Sequence, residues 1–286
     1  MTALKEIKKR INSIKSTRKT TSAMKMVSSA KLHKAESTLA NIRTYSKALR
    51  HILESLPTSD YSNPLCTERP IKNVALIAFS SDSSLCGAFN SNISRELQKT
   101  LDKYKKSSGI DTIRVYTIGK KIYDSIRKTG VPVTKNFDNP PGKTDYNTIA
   151  DFASTLIKQF ETNQIDRVEL IYHRFKSVGS QEIVNLPLLP STLPAQGKQS
   201  HHKDDYYILE PSREKILGAL ITKTVKTQLF TALLDSNTSE HAARMIAMQT
   251  ATDNADDLVS ELTIEYNKSR QQAITGELLD LIGGNV

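Results

Sequence analysis

Four short stretches of this 286-residue chain carry residue types that could do chemistry. Pro140-Pro141-Gly142-Lys143-Thr144 has the ending of a phosphate-binding loop, in which backbone N–H groups wrap the phosphates and a lysine meets their charge. That loop needs a glycine five residues before Gly142, and Phe137 stands there. The paired prolines also remove two N–H donors from the cradle. A turn before a helix is the expected structure. Gly119-Lys120-Lys121 follows an apolar run and opens a helical one, a geometry friendly to anions, but the G-x-G-x-x-G spacing of a dinucleotide site is missing. His201-His202 could bind a metal, yet no Cys or acidic ligand stands at zinc spacing around them. Cys86, in Ser84-Leu85-Cys86-Gly87, follows a strand, where a nucleophile could sit. No His lies at a spacing that would activate it, so a small buried residue is expected. No catalytic constellation emerges, and neither cofactor nor metal is expected.

The elements that would position these groups are announced by where the helix breakers fall. The first proline is Pro57 and the first glycine Gly87. No proline follows Pro211, and no glycine stands between Gly218 and Gly276. Two uninterrupted helices are expected at the chain ends, over residues 1–56 and 211–286, reaching roughly 80 and 100 Å at 1.5 Å per residue. On the first, a seam counted in alternate threes and fours from Leu4 is apolar at its ends, with Ile7, Ile11 and Ile14 at one and Leu49 and Leu53 at the other. Its centre turns polar at Arg18, Thr21, Lys25 and Ser28, beside an apolar patch of Ala23, Met24, Met26 and Val27. Core packing is expected for that patch; a sliding contact with another subunit is the alternative, since thioethers adapt to changing surroundings. Ser212 is expected to cap the second helix. Pairing the two helices buries both seams, so an antiparallel coiled coil is expected. The second helix is longer by roughly fifteen residues, and its end should protrude alone, where its seam becomes small and polar (Leu262, Tyr266, Ser269, Ala273).

Between the helices, residues 57–70 read as a linker and 71–210 as an α/β head of Rossmann-like character. Asn73–Phe79 is a near-continuous apolar run, as in a buried parallel strand. Helices are expected over 89–106, 120–128 and 145–160, and strands over 112–118, 131–136, 167–174 and 182–188. Residues 190–205 read as a polar loop.

Composition narrows the class. With 38% hydrophobic and 24% charged residues the chain is globular in character. No run approaches 18 apolar residues, so no spanning helix is expected, and the start lacks the apolar core and cleavage site of a signal peptide. Two cysteines suit a reducing compartment. The net charge of +10 is uneven: residues 1–50 hold thirteen Lys/Arg against Glu6 and Glu36, a net of +11, leaving −1 for the rest. One helix holds the whole excess, which points to an acidic partner along it. A nucleic-acid-binding coiled coil would fit that charge, but only Tyr45 is available on this helix to stack a base.

The two ends also carry a resemblance. Leu4-Lys5-Glu6-Ile7-Lys8-Lys9-Arg10-Ile11, Ser13-Ile14-Lys15-Ser16-Thr17 and Ala23-Met24-Lys25-Met26-Val27 resemble the N-terminal helix of the gamma subunit of F-type ATP synthases. Ser239–Met245, Ala251–Ala255, Tyr266-Asn267-Lys268, Arg270-Gln271, Ile274-Thr275, Glu277, Asp280 and Gly284 are similar to its second helix, and Asn73–Gly87 to the start of its head. The resemblance implies a non-catalytic rotor shaft inside a ring of three alpha and three beta subunits, seated on an epsilon subunit and the membrane c-ring. Association with the membrane would be peripheral, through Fo. It implies beta-subunit contacts at Lys8, Lys9 and Arg10, with Lys31 to Lys34, at Met24, and at Arg270, Gln271, Thr275 and Glu277. Tyr206 and Tyr207 would lie near the c-ring or epsilon. The absence of a transit peptide favours the cytoplasmic face of a bacterial inner membrane. The chain departs from the pattern at Ser83-Ser84, where a basic residue and glycine are usual, at Gly276, usually Gln or Lys, and at Asn285, usually Ala. The Ser83-Ser84 departure puts a salt bridge from that turn in doubt.

Overall fold

β1 (Asn73–Phe79) buries six of its seven residues because both of its faces are covered. On one face Val74, Leu76 and Ala78 meet Ile93, Leu97 and Leu101 of α2 (Phe89–Lys106) and Ile122 and Ile126 of α3 (Lys120–Lys128). On the other, Tyr116 of β2 (Thr112–Ile118), which pairs with Ile77, lies 5.4 Å from Phe152 of α4 (Tyr146–Glu161). The computed structural model describes residues 2–56, 63–107, 109–128, 133–137, 146–191 and 209–283. Within these the sheet has five strands in the order β3-β2-β1-β4-β5, where β3 is Val133–Phe137, β4 Arg167–Ser177 and β5 Ser180–Leu189. The first four are parallel neighbours, and β5 returns antiparallel beside β4. The four parallel strands follow the 3-2-1-4 order of a doubly wound sheet, with a hairpin on the edge.

β4 runs three residues past the expected Arg174, because the hairpin continues the ladder to Ser177 opposite Ser180 and Lys176 pairs with Glu182 at 2.9 Å. Residues 63–70, expected as linker, are built into the head. Asn63 caps a 3-10 turn (Pro64–Cys66) by accepting from the Leu65 N–H at 2.9 Å, and Leu65 is buried. Arg69 lies over the Phe160 ring at 4.1 Å, donates to the carbonyls of Phe160 and Ile165, and pairs with Asp166 at 3.1 Å.

Gly119, at φ +104°, lets β2 turn into α3 against Ser80: a Cβ there would stand 2.2 Å from the Ser80 carbonyl oxygen. Neither the backbone angle nor the space admits a side chain. Gly119→Ala is expected to cost about 3 kcal/mol or more, measured as a shift in the urea midpoint.

The helices α1 (Thr2–Ser55) and α5 (Arg213–Gly283) run without a break. Ser212 caps α5, accepting from the Lys215 N–H at 3.4 Å, with Glu214 in the first turn. By contacts the chain forms two units, Met1–Lys31 with Arg244–Val286, and Leu32–Ala243. In the first, the seam of α1 buries Ile11, Thr21 and Ser28. The Thr21 and Thr252 hydroxyls meet at 2.8 Å and Arg18 pairs with Asp256, which fixes the two helices antiparallel. The polar centre of the seam is thus satisfied across the pair and along the helix, where Thr21 also donates to the Arg18 carbonyl and Ser28 to that of Met24. In the second unit α1 buries Leu32, Leu39, Leu49 and Leu53, while α5 buries Leu217, Ile221, Val225, Leu229 and Leu233.

Candidate functional site

A doubly wound sheet binds ligands where its strand order reverses, outside the carboxyl ends of the strands. Here that point lies after β1, and its polar groups are already spent. The N–H groups opening α3 are taken: Lys120 donates to Asp82 Oδ1 at 2.9 Å, Lys121 to the Ser81 carbonyl at 3.1 Å, and Ile122 to Ser80 Oγ at 3.0 Å. The anion-friendly helix start expected at Gly119-Lys120-Lys121 is therefore closed by the chain itself. Asn90 binds the Ser81 N–H and hydroxyl and donates to Cys86 Sγ, and the thiol is buried as the sequence suggests. Phe89 stacks on His173 at 4.2 Å, and both rings are buried. Burial holds the His173 imidazole down to about 4, so it is neutral at physiological pH. Pro140–Thr144 and His201-His202 lie outside the described residues. Among the described residues no group of His, Cys, Asp or Glu could hold a metal ion.

Most of the other residues expected to make contacts stand on the two helices. Lys8, Lys9 and Arg10 are exposed on α1, and Lys9 and Arg10 line an open groove with Lys5, Glu6 and Ser13. Lys31, His33 and Lys34 are exposed as well. Core packing of the methionine patch is not what the structure has. Ala23 is exposed, Met26 is 69% and Val27 56% exposed, and only Met24 is half-buried. The reason is angular: the seam through Thr21, Lys25 and Ser28 claims the paired face, and Met26 and Val27 stand off it on a 3.6-residue helix.

On α5 the seam residues Leu262, Tyr266, Ser269 and Ala273 are half-buried in series, continuing a row that includes Val259. Past Ala273 burial stops: Ile274, Leu278 and Leu279 are 46%, 54% and 63% exposed. Arg270, Gln271 and Thr275 are exposed on this segment, and Thr275 Oγ1 donates back to the Gln271 carbonyl at 2.9 Å. The Glu277 side chain, Tyr206 and Tyr207 lie outside the described residues. A Cβ added at Gly276 would meet nothing within 4 Å. Gly276→Ala is therefore expected to add about 1 kcal/mol of helix stability, visible as slower amide exchange over the last turns. The two glycine substitutions should thus differ in sign.

A polar cluster joining α1, β4 and α5 was not foreseen from the sequence. Arg43 donates to Asp235 Oδ1 and to the Phe175 carbonyl, at 2.5 and 2.8 Å, and Asp235 accepts the Phe175 N–H at 3.2 Å. A lone Asp235 following the run Leu229–Leu234 was the available signal.

The whole chain is similar to known proteins. A family model described as ATP synthase matches residues 3–285. The ATP synthase gamma chain of Bacteroides fragilis (strain ATCC 25285) is 48% identical, with all of both chains covered. That of Flavobacterium johnsoniae is 40% identical, covering 99% of this chain and 98% of the relative. Among solved structures, a chain of the central stalk/c-ring of the Tetrahymena thermophila mitochondrial ATP synthase is 25% identical at a TM-score of 0.61, covering 81% of this chain and 98% of its own. A chain from the OSCP/F1/c-ring of the Euglena gracilis enzyme shares the fold at a TM-score of 0.68 and 19% identity, covering 99% and 93%.

Proposed function

This chain belongs to the ATP synthase gamma family, and from that premise we infer how its exposed helices serve as the central shaft of the rotary enzyme. It is a non-catalytic subunit; the nucleotide sites belong to the beta subunits. Its partners are the alpha and beta subunits, the epsilon subunit and the c-ring. One asymmetric shaft among three like beta subunits must present each with a different face. A contact that favours one conformation of a beta subunit over another shifts that site's nucleotide affinity by the difference in contact energy. Turning the shaft permutes the three states, and ATP hydrolysis turns the shaft the other way.

The observation that supports this reading best is the end of α5, where Arg270, Gln271 and Thr275 are exposed beside Ile274, Leu278 and Leu279. These offer directional hydrogen bonds and apolar bearing surface to a surrounding ring. Arg270, Gln271, Thr275 and Glu277 are the proposed contacts to one beta subunit, with Met24 facing the same subunit. Lys8, Lys9 and Arg10 are proposed to meet acidic beta-subunit loops. Such exposed pairs are screened and weak, so they steer the shaft more than they drive it. Tyr206 and Tyr207 are proposed to face epsilon or the c-ring. We propose that this chain works peripherally, on the cytoplasmic side of a bacterial inner membrane. Among the described residues no helix is long and apolar enough to cross a membrane.

Cross-linking tests the assignment. Thr275→Cys, paired with a cysteine scan of the beta-subunit loops in the assembled complex, should trap one of the three beta subunits and stop turnover until reduced. A shaft that cross-links to no beta subunit at this position would be placed wrongly.

A further inference from the structure

A shaft is useful only if its head cannot slip around it. Within the unit Leu32–Ala243 the head meets the helices through apolar contacts such as Tyr146 of α4 edge-on to Phe230 of α5 at 5.2 Å. Apolar contacts are non-directional and tolerate sliding. Directional bonds resist it, and at one place side chains of both helices supply such bonds to the sheet.

That place is an unfinished strand edge. β1 pairs with β4 only from Val74 opposite Arg167 to Ala78 opposite Ile171. β4 continues six residues further, to Ser177. Over that length its far side is paired with β5, His173 opposite Ile183 and Phe175 opposite Gln181. Its near side has no strand among the described residues. Alternate residues of a strand turn their N–H and C=O to the same side, and His173 and Phe175 are such alternates. Both are met by side chains from the helices. Phe175 donates its N–H to Asp235 and gives its carbonyl to Arg43, and the His173 carbonyl accepts from Ser239 Oγ at 3.2 Å. Asp235 and Ser239 are one turn apart on α5, so their side chains share a face. Arg43 closes the figure from α1 by donating to Asp235. One strand, two helices and four hydrogen bonds therefore form a single joint. Phe175, Asp235 and Ser239 are buried in it, so on their side a bond broken during a slip is not replaced by one to water, while Arg43 reaches in from a partly exposed position.

We propose that Arg43, Asp235 and Ser239 are positioning residues that key the edge of β4 to α1 and α5, so that torque applied to the head passes into the helices without slip. The proposal rests on the rotor function described above. It predicts a defect in coupling that spares the chemistry, since none of the three is among the residues assigned to the beta subunits.

The test is made on the assembled enzyme in inverted membrane vesicles, reading ATP hydrolysis and ATP-driven ion transport together. Arg43→Met with Asp235→Asn keeps an acceptor for the Phe175 N–H and leaves no buried charge, but removes the bond from α1. Combined with Ser239→Ala it should leave hydrolysis within twofold of wild type and lower ions transported per ATP at least threefold. Arg43→Lys, which retains a cation able to reach both acceptors, should restore most of the ratio. A ratio equal to wild type in the triple variant overturns the proposal. Should that variant fail to assemble, Ser239→Ala alone must lower the ratio measurably, and an unchanged ratio there overturns it equally. Vesicles stripped of this chain serve as the control. If wild-type chain does not restore transport to them, the rotor function itself fails; if it does and the variants match it, only the joint fails.

Discussion

Replacing Arg43 alone with alanine is expected to lower the unfolding free energy of the chain by about 3–5 kcal/mol, because it strips a buried carboxylate of its cation. The two members of the pair are unequal: the side chain of Asp235 is 4% exposed and that of Arg43 39%. Remove Asp235 and the guanidinium can turn to water. Remove Arg43 and the carboxylate keeps the Phe175 N–H but loses its charge partner. Burial already holds the Asp235 carboxyl above the ordinary aspartate range, against the opposing pull of Arg43. Without Arg43 it should rise further. A carboxyl raised in the folded state favours folding below its unfolded value of about 3.9, and that advantage is lost as the pH rises through the folded value. The deficit of Arg43→Ala should therefore be largest at pH 8 and shrink toward pH 5. His173, held down to about 4 by burial, weakens the fold as the pH drops below its unfolded value. It does so in both proteins and cancels in the difference. Urea unfolding of wild type and variant at the two pH values checks this; a deficit independent of pH would show that Asp235 is not the group left stranded.

The second large effect is expected at the other end of α5. Arg270→Ala with Gln271→Ala should lower coupled ATP turnover of the assembled enzyme about tenfold, the equivalent of about 1.4 kcal/mol in the transition state. Both residues are exposed, and the one hydrogen bond described at Gln271 uses its backbone carbonyl, which alanine keeps. Alanine is the best helix former, so the isolated chain should keep its stability within about 0.5 kcal/mol. The contrast with Arg43→Ala is the informative part: one variant damages the fold, the other only the engagement with partners. Turnover unchanged by the double substitution would remove these two residues from the beta-subunit contact.

Much of this was legible in the sequence for local reasons. The run Asn73–Phe79 could only be a strand covered on both faces, and α2 and α3 start and stop where the sequence places them. The seam of α1 was also legible: its counted positions are buried or half-buried apart from Arg18, which is exposed. Its polar centre was not, because Thr21 and Arg18 find their partners at Thr252 and Asp256, more than 230 residues away in the chain for the threonines. Local periodicity carries no information about such pairs. Met26 and Val27 misled for the opposite reason: apolar side chains suggest a core, but on a shaft they can face partners absent from the chain. The joint at Asp235 was hidden because it depends on β4 outrunning β1, a fact of register that no single segment encodes.

That overrun also sets an order of events during synthesis. Arg43 and Asp235 are 192 residues apart, which at 5–20 residues per second separates their emergence by roughly 10–40 s. For part of that interval β4 has been made, and the residues that cover its bare edge have not. A bare edge is a template for another chain's strand. The nascent subunit is thus open to sticking to its own copies until its last helix arrives, and a ribosome stalled before residue 235 would release a fragment prone to aggregate.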